Sequence, residues 1–74
     1  MRIVIGRCHL LELLNDRNLS QAEFARRIDA HPQTVAKWVK REDVMSLAKV
    51  LSACRILSCS IDELYEIIEE KTDE

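Results

Sequence analysis

Two helix starts are crowded into the nineteen residues SQAEFARRIDAHPQTVAKW, positions 20 to 38. That crowding constrains the chain more than anything else in it. Ser20 is followed three residues later by Glu23, the spacing of a capping box, in which each side chain satisfies a free backbone N–H at a helix start. Leu19, just ahead of the cap, is placed to staple onto Phe24. Phe24, Ala25 and Ile28 form an apolar stripe and leave Arg26 and Arg27 pointing outward. Pro32 marks the second start, because at the first position of a helix its missing N–H costs nothing and its φ is preset. Val35 and Trp38 lie three apart and face a core, with Val39 beside them, while Gln33, Thr34, Ala36 and Lys37 fall on the other side. Only Asp29-Ala30-His31 separates the two patterns. The chain must turn there within three residues, and Asp29, a residue type that tolerates positive φ, is the expected pivot.

The rest of the chain reads as more short helices. One Gly and one Pro in 74 residues argue against a turn-rich β-sandwich or barrel. Leu10, Leu13 and Leu14, with Cys8 at the margin, recur at helical spacing until Asn15-Asp16-Arg17-Asn18, where Asn18 is suited to close the helix in a left-handed conformation. Ser46 caps a fourth helix whose expected stripe is Leu47, Val50, Leu51, Cys54 and Leu57, ended by Ser58. Ser60 and Glu63 form a second capping box, and Ile61, Leu64 and Tyr65 carry a fifth helix. Arg2 to Ile5 is a β-branched run ended by Gly6 and reads as a strand. Residues 66–71 fit either an extension of the fifth helix or a strand pairing with 2–5. The strand is favoured because the two β-prone runs otherwise lack partners.

Several function classes have no foothold. No apolar run approaches the roughly 20 residues that span a bilayer. The opening MRIVIG is too short and too weakly basic for a signal peptide, which points to the cytoplasm. Cys8, Cys54 and Cys59 form no CxxC pair, and His9 and His31 are not at zinc-ligand spacing from them. No metal or other cofactor is expected, and the cysteines read as small hydrophobes in a reducing compartment. No nucleophile–base pair or phosphate-cradling glycine loop is present, so the chain is not expected to be an enzyme.

The net charge of −2 hides a split. Residues 1–41 carry eight basic and four acidic side chains, a net of +4, and residues 42–74 carry three and nine, a net of −6. Local field matters more to a polyanion than the total does. The first half can therefore face phosphate while the acidic end faces away.

Two helices meeting steeply across a three-residue turn form a helix-turn-helix, here residues 20–39, whose second helix is shaped for the major groove of DNA. Ala25 supplies the small residue at the crossing, Asp29 the positive φ, and Val35 and Trp38 the anchors. In these residues the chain resembles the Cro/C1-type (Xre-type) repressors of phages and bacteria. The likeness is carried by Leu19-Ser20-Gln21-Ala22-Glu23-Phe24-Ala25 and by Pro32-Gln33-Thr34-Val35-Ala36-Lys37-Trp38. Ser46-Leu47 and the stretch from Leu57 to Leu64 extend it over about residues 7 to 65.

The resemblance implies an all-α, five-helix, lambda-repressor-like domain, with a two-stranded terminal ribbon if 66–71 is a strand. The whole chain, 1–74, is then a single domain. It also implies a sequence-specific binder of double-stranded DNA, usually a homodimer on a pseudo-palindromic operator. By the same resemblance, Gln33 and Lys37 stand at the main base-reading positions, and Gln21 at the helix-start glutamine that holds phosphate. Pro32 stands where the family often has another polar reader, and Asp29 where Gly is common.

The chemistry agrees. Gln pairs with adenine N6/N7, Lys donates to guanine O6/N7, and Ala36 suits a thymine methyl, with Thr34 on the same face. Gln21, at a positive helix N-terminus, suits a phosphate oxygen. His31, Lys40 and Arg41 are further phosphate candidates, fixing register rather than sequence. The expected role is repression by occupying an operator. One rival is an antitoxin or other protein-interaction module, docking a protein partner through the acidic C-terminal segment. Another is an accessory within a larger DNA-bound complex. Leu11, Leu14 and the terminal strands are the candidate dimer surface.

Overall fold

In a computed structural model of the chain, which describes residues 1–71, seven elements follow one another. They are β1 (Arg2–Cys8), α1 (Leu10–Asp16), α2 (Gln21–Ile28), α3 (Pro32–Val39), α4 (Leu47–Leu57), α5 (Ile61–Leu64) and β2 (Tyr65–Glu70). Five helices with a two-stranded terminal ribbon is the expected architecture. The ribbon is longer than the sequence suggests at its inner end, and at its open end β2 stops at Glu70, one residue short of the expected 66–71.

Strand β1 does not stop at Gly6 but runs on to Cys8, and β2 begins at Tyr65, which caps the end of α5 in an extended conformation instead of continuing that helix. The two strands pair antiparallel, from Arg2 opposite Glu70 to Ile5 opposite Ile67, and again at Cys8 opposite Tyr65 after a register shift. Gly6 sits in that shift. A Cβ there would come within 3.1 Å of the Glu66 Cβ, so the glycine allows the strands to approach rather than ending one of them. At the open end, Arg2 Nε donates to Glu70 Oε1 at 2.9 Å. Cys8 consequently belongs to the strand and not to the stripe of α1.

The core lies where the helices meet the base of the ribbon. Leu10, Leu14, Phe24, Val35, Leu57 and Leu64 are its largest fully buried side chains. Leu14 is therefore a core residue and not a dimer surface, whereas Leu11 is exposed. Tyr65 and Met45 are also buried, and the tyrosine hydroxyl accepts a bond from the Met45 N–H at 3.2 Å. Burial raises the Tyr65 pKa, so the phenol stays neutral and serves as an acceptor for a backbone group that would otherwise be unpaired.

Four helices end the same way, without a glycine. Asn18, Asp29, Arg41 and Ser58 all have positive φ, between 50° and 63°. Each closes a Schellman motif, in which the following N–H reaches back to the carbonyl five residues earlier. These long bonds are Leu19 to Leu14 (2.9 Å), Ala30 to Ala25 (2.9 Å), Glu42 to Lys37 (2.9 Å) and Cys59 to Cys54 (3.0 Å). The left-handed conformation costs a non-glycine residue roughly 1–2 kcal/mol. The motif offsets that by satisfying helix-end carbonyls. Arg17 adds to it, its Nε donating to the Leu57 carbonyl at 2.5 Å.

Three local expectations are corrected. The Ser20 box is half formed: the hydroxyl accepts from the Glu23 N–H at 3.1 Å, but the Glu23 carboxylate turns to Arg26 and Arg27 instead. The Ser60–Glu63 box is complete. On α4 the buried residues are Val50, Ala53 and Leu57, while Leu47 and Leu51 are 71% and 48% exposed. Ile61 is also exposed. The cysteines are free thiols, Cys8 buried and the other two half-buried. Burial, reinforced by the neighbouring Cys54, pushes the Cys59 thiol up to about 11, so it packs as a neutral group.

Candidate nucleic-acid interface

The site is built by how α2 holds α3. Phe24, Ala25 and Ile28 of α2 are buried, as are Val35 and Trp38 of α3. Ala25, 1% exposed, lets the two helices cross closely where a longer side chain would push them apart. Asp29 makes the turn in the left-handed conformation, with φ 59° and ψ 50°. His31 then caps α3, its Nδ1 accepting the Gln33 N–H at 3.1 Å, and Pro32 fills the first helical position. With Nδ1 engaged as the acceptor, Nε2 is the ring nitrogen left to face a partner.

One group at this turn carried no local signal in the sequence. Lys49, from α4, reaches across to the end of α2 and donates from Nζ to the carbonyls of Ile28 at 2.8 Å and Asp29 at 3.2 Å. A cation on two free carbonyls at a helix C-terminus is favoured by both hydrogen bonding and the helix dipole. It pins the turn from which α3 departs. Lys49→Met keeps the stem and removes the charge, and is expected to lower stability by about 1–2 kcal/mol in a thermal melt. An unchanged melting temperature would show that the clamp contributes nothing.

With Val35 and Trp38 underneath, the opposite face of α3 is open. Gln33 and Lys37 are exposed, one helical turn apart, and Thr34 and Ala36 beside them are half-buried. Gln21 and His31 are exposed at the starts of α2 and α3, and Lys40 is exposed just past the end of α3. Arg41 is placed differently from the other candidates. Its Nε donates to the Cys8 carbonyl at 3.3 Å, and Nη2 lies 3.9 Å from Glu12. Its guanidinium is thus turned toward β1 and α1. Arg26 and Arg27 are held by Glu23. Among the described residues, no helix is long and apolar enough to cross a membrane.

Two short helices joined by a three-residue turn, with the second pinned by two buried anchors, define a helix-turn-helix domain. The chain belongs to the Cro/C1-type helix-turn-helix DNA-binding domain family, whose model matches residues 9–70. It is similar to the crystal structure of the transcriptional regulator VanUg, with 28% sequence identity over 95% of this chain and 92% of that one and a TM-score of 0.69. No curated protein sequence matches it.

Proposed function

We propose that residues 1–74 act as one DNA-binding unit, a transcriptional repressor that occupies a pseudo-palindromic operator as a homodimer. The observation that carries this reading is the division of α3, where Val35 and Trp38 are buried at 0% and 3% exposure while Gln33 and Lys37 stand in the open. A helix anchored so has one face left, and that face bears groups that match base edges in the major groove. In this reading Gln33 and Lys37 read bases, as do Ala36, against a thymine methyl, and Thr34 on the same face. Gln21, His31, Lys40 and Arg41 contact phosphates and fix the register. Arg41 must let go of both the Cys8 carbonyl and Glu12 to do so. The ion pair is solvent-exposed and contributes little, so the bond to the carbonyl is the main thing exchanged. Likeness to a transcriptional regulator over nearly the full chain supports a role in transcription.

Selection from a random duplex pool with the purified chain tests it. The expected result is a symmetric motif with half-sites about 10 bp apart, and binding that weakens steeply as salt rises. Enrichment of an asymmetric motif would sink the dimeric part. No retention of any DNA at low salt would sink the whole reading and favour a protein-interaction module.

A further inference from the structure

The four glycine-free helix ends each bring a particular pair of residues together. In a Schellman motif the residue whose carbonyl accepts the long bond lies close to the residue that donates it, and their side chains commonly touch. Here those pairs are Leu14 with Leu19, Ala25 with Ala30, Lys37 with Glu42, and Cys54 with Cys59. Two pairs are apolar and one is of opposite charge. The fourth, at the end of α4, is a pair of thiols.

The backbone limits how far apart these two cysteines can be. The Cys59 N–H donates to the Cys54 carbonyl at 3.0 Å. With standard bond lengths, such a bond holds the two Cα atoms no more than about 7 Å apart, and any bend at the oxygen or the nitrogen brings them inside the range a disulfide spans. Ser58, left-handed with φ 50°, turns the chain back between them. The side chains meet as well, with the Cys59 thiol within hydrogen-bonding reach of the Cys54 sulfur. Both are half-buried and so partly open to small molecules, whereas Cys8 is buried at the base of the ribbon.

We propose that Cys54 and Cys59 form a reversible disulfide site, closed by exchange with a small-molecule disulfide and with the backbone left in place. The Cys54 thiolate attacks one sulfur of the reagent, and the other half leaves as a thiolate that takes up the proton Cys54 gave to solvent. Cys59 then gives up its own proton and attacks the Cys54 sulfur, expelling the second half as a thiol. The chain loses two hydrogens, and the reagent is reduced to two thiols. Burial and the neighbouring Cys54 push the Cys59 thiol up to about 11, which disfavours it as the first nucleophile. In the second step its low thiolate fraction is offset by proximity, because the sulfur it attacks is already beside it. The site is independent of the DNA-binding reading, since neither cysteine lies on α3 or at its ends.

Excess oxidised glutathione on the folded full chain, followed by mass spectrometry, tests it. The expected product is a single chain lighter by two hydrogens and free of glutathione. Trypsin makes the assignment, because Arg55 separates the two cysteines. Peptides 50–55 and 56–71 should run as one linked species that reduction separates. The bridged chain is expected to melt about 5–15 °C above the reduced one, because the folded helix end already holds the geometry of the bridge. Cys59→Ser should stop at a glutathione adduct on Cys54. A parent chain that stops at glutathione adducts, bridges through Cys8 or links two chains overturns the proposal. So does a bridged chain that melts no higher than the reduced one, because the disulfide would then strain the helix end. Absence of an adduct on Cys54 in Cys59→Ser overturns the order of attack.

Discussion

Trp38→Ala is expected to unfold a large fraction of the chain at ordinary temperature. Trp38 is 3% exposed and anchors α3 to the core beside Val35. Truncating a buried aromatic costs about 3–5 kcal/mol, through lost transfer energy and the cavity left behind. A domain of this size has roughly 4–11 kcal/mol of stability in all. The loss therefore removes about a quarter or more of what holds it together. Trp38 is the only tryptophan, so the variant abolishes the fluorescence signal as well, and the measurement must be far-UV circular dichroism. The expected shift in melting temperature is about 15–30 °C, from the usual few degrees per kcal/mol for small domains. Trp38→Phe, which fills most of the volume, should recover much of it. A Trp38→Ala variant that melts within a few degrees of the parent would mean that α3 is held by something other than its buried face.

The parts of the fold that were legible in the sequence share a physical cause. On α2 and α3 the apolar residues occupy one face only, so periodicity alone separates core from solvent. Ser20, Asn18, Asp29 and Pro32 act within their own turn of chain, and each does what its side chain or ring dictates locally. On α4 periodicity misleads. Apolar residues cover more than half of its circumference, and the core takes small Ala53 in preference to large Leu47 and Leu51. Hydrophobicity ranks the leucines higher, but the position of α4 against α2 decides which face is used. That reversal is why Leu47 and Leu51 stand on the surface.

Contacts between distant residues were beyond a local reading. Lys49 on the carbonyls of Ile28 and Asp29, Tyr65 beneath Met45, and the pairing of Arg2 with Glu70 join residues 20 to 68 positions apart. Arg41 shows the same limit within the candidate site. Its charge and its place after α3 suggest phosphate, but nothing local indicates that it takes a left-handed conformation and turns to the Cys8 carbonyl. The open face of α3 needed no such knowledge. Once Val35 and Trp38 are assigned inward, Gln33 and Lys37 can only point out.

That face makes the second large prediction. Gln33→Ala and Lys37→Ala are each expected to lose about 1–3 kcal/mol of discrimination for the selected operator over a scrambled duplex, which is roughly five- to 150-fold. Both side chains are exposed, so melting temperatures should stay within the range of ordinary surface substitutions. The loss must be specific: affinity for scrambled DNA should fall little with Gln33→Ala, because a neutral side chain releases no counterion. Lys40→Ala is the contrast. A lost phosphate contact weakens binding to both duplexes alike and lowers the slope of log affinity against log salt by about one. Fluorescence anisotropy on the two duplexes across a salt series separates the three variants in one experiment. If Gln33→Ala behaves as Lys40→Ala does, or if neither α3 substitution alters the ratio between operator and scrambled DNA, base reading is not done by this face of α3. The charges near the turn would then be serving affinity alone.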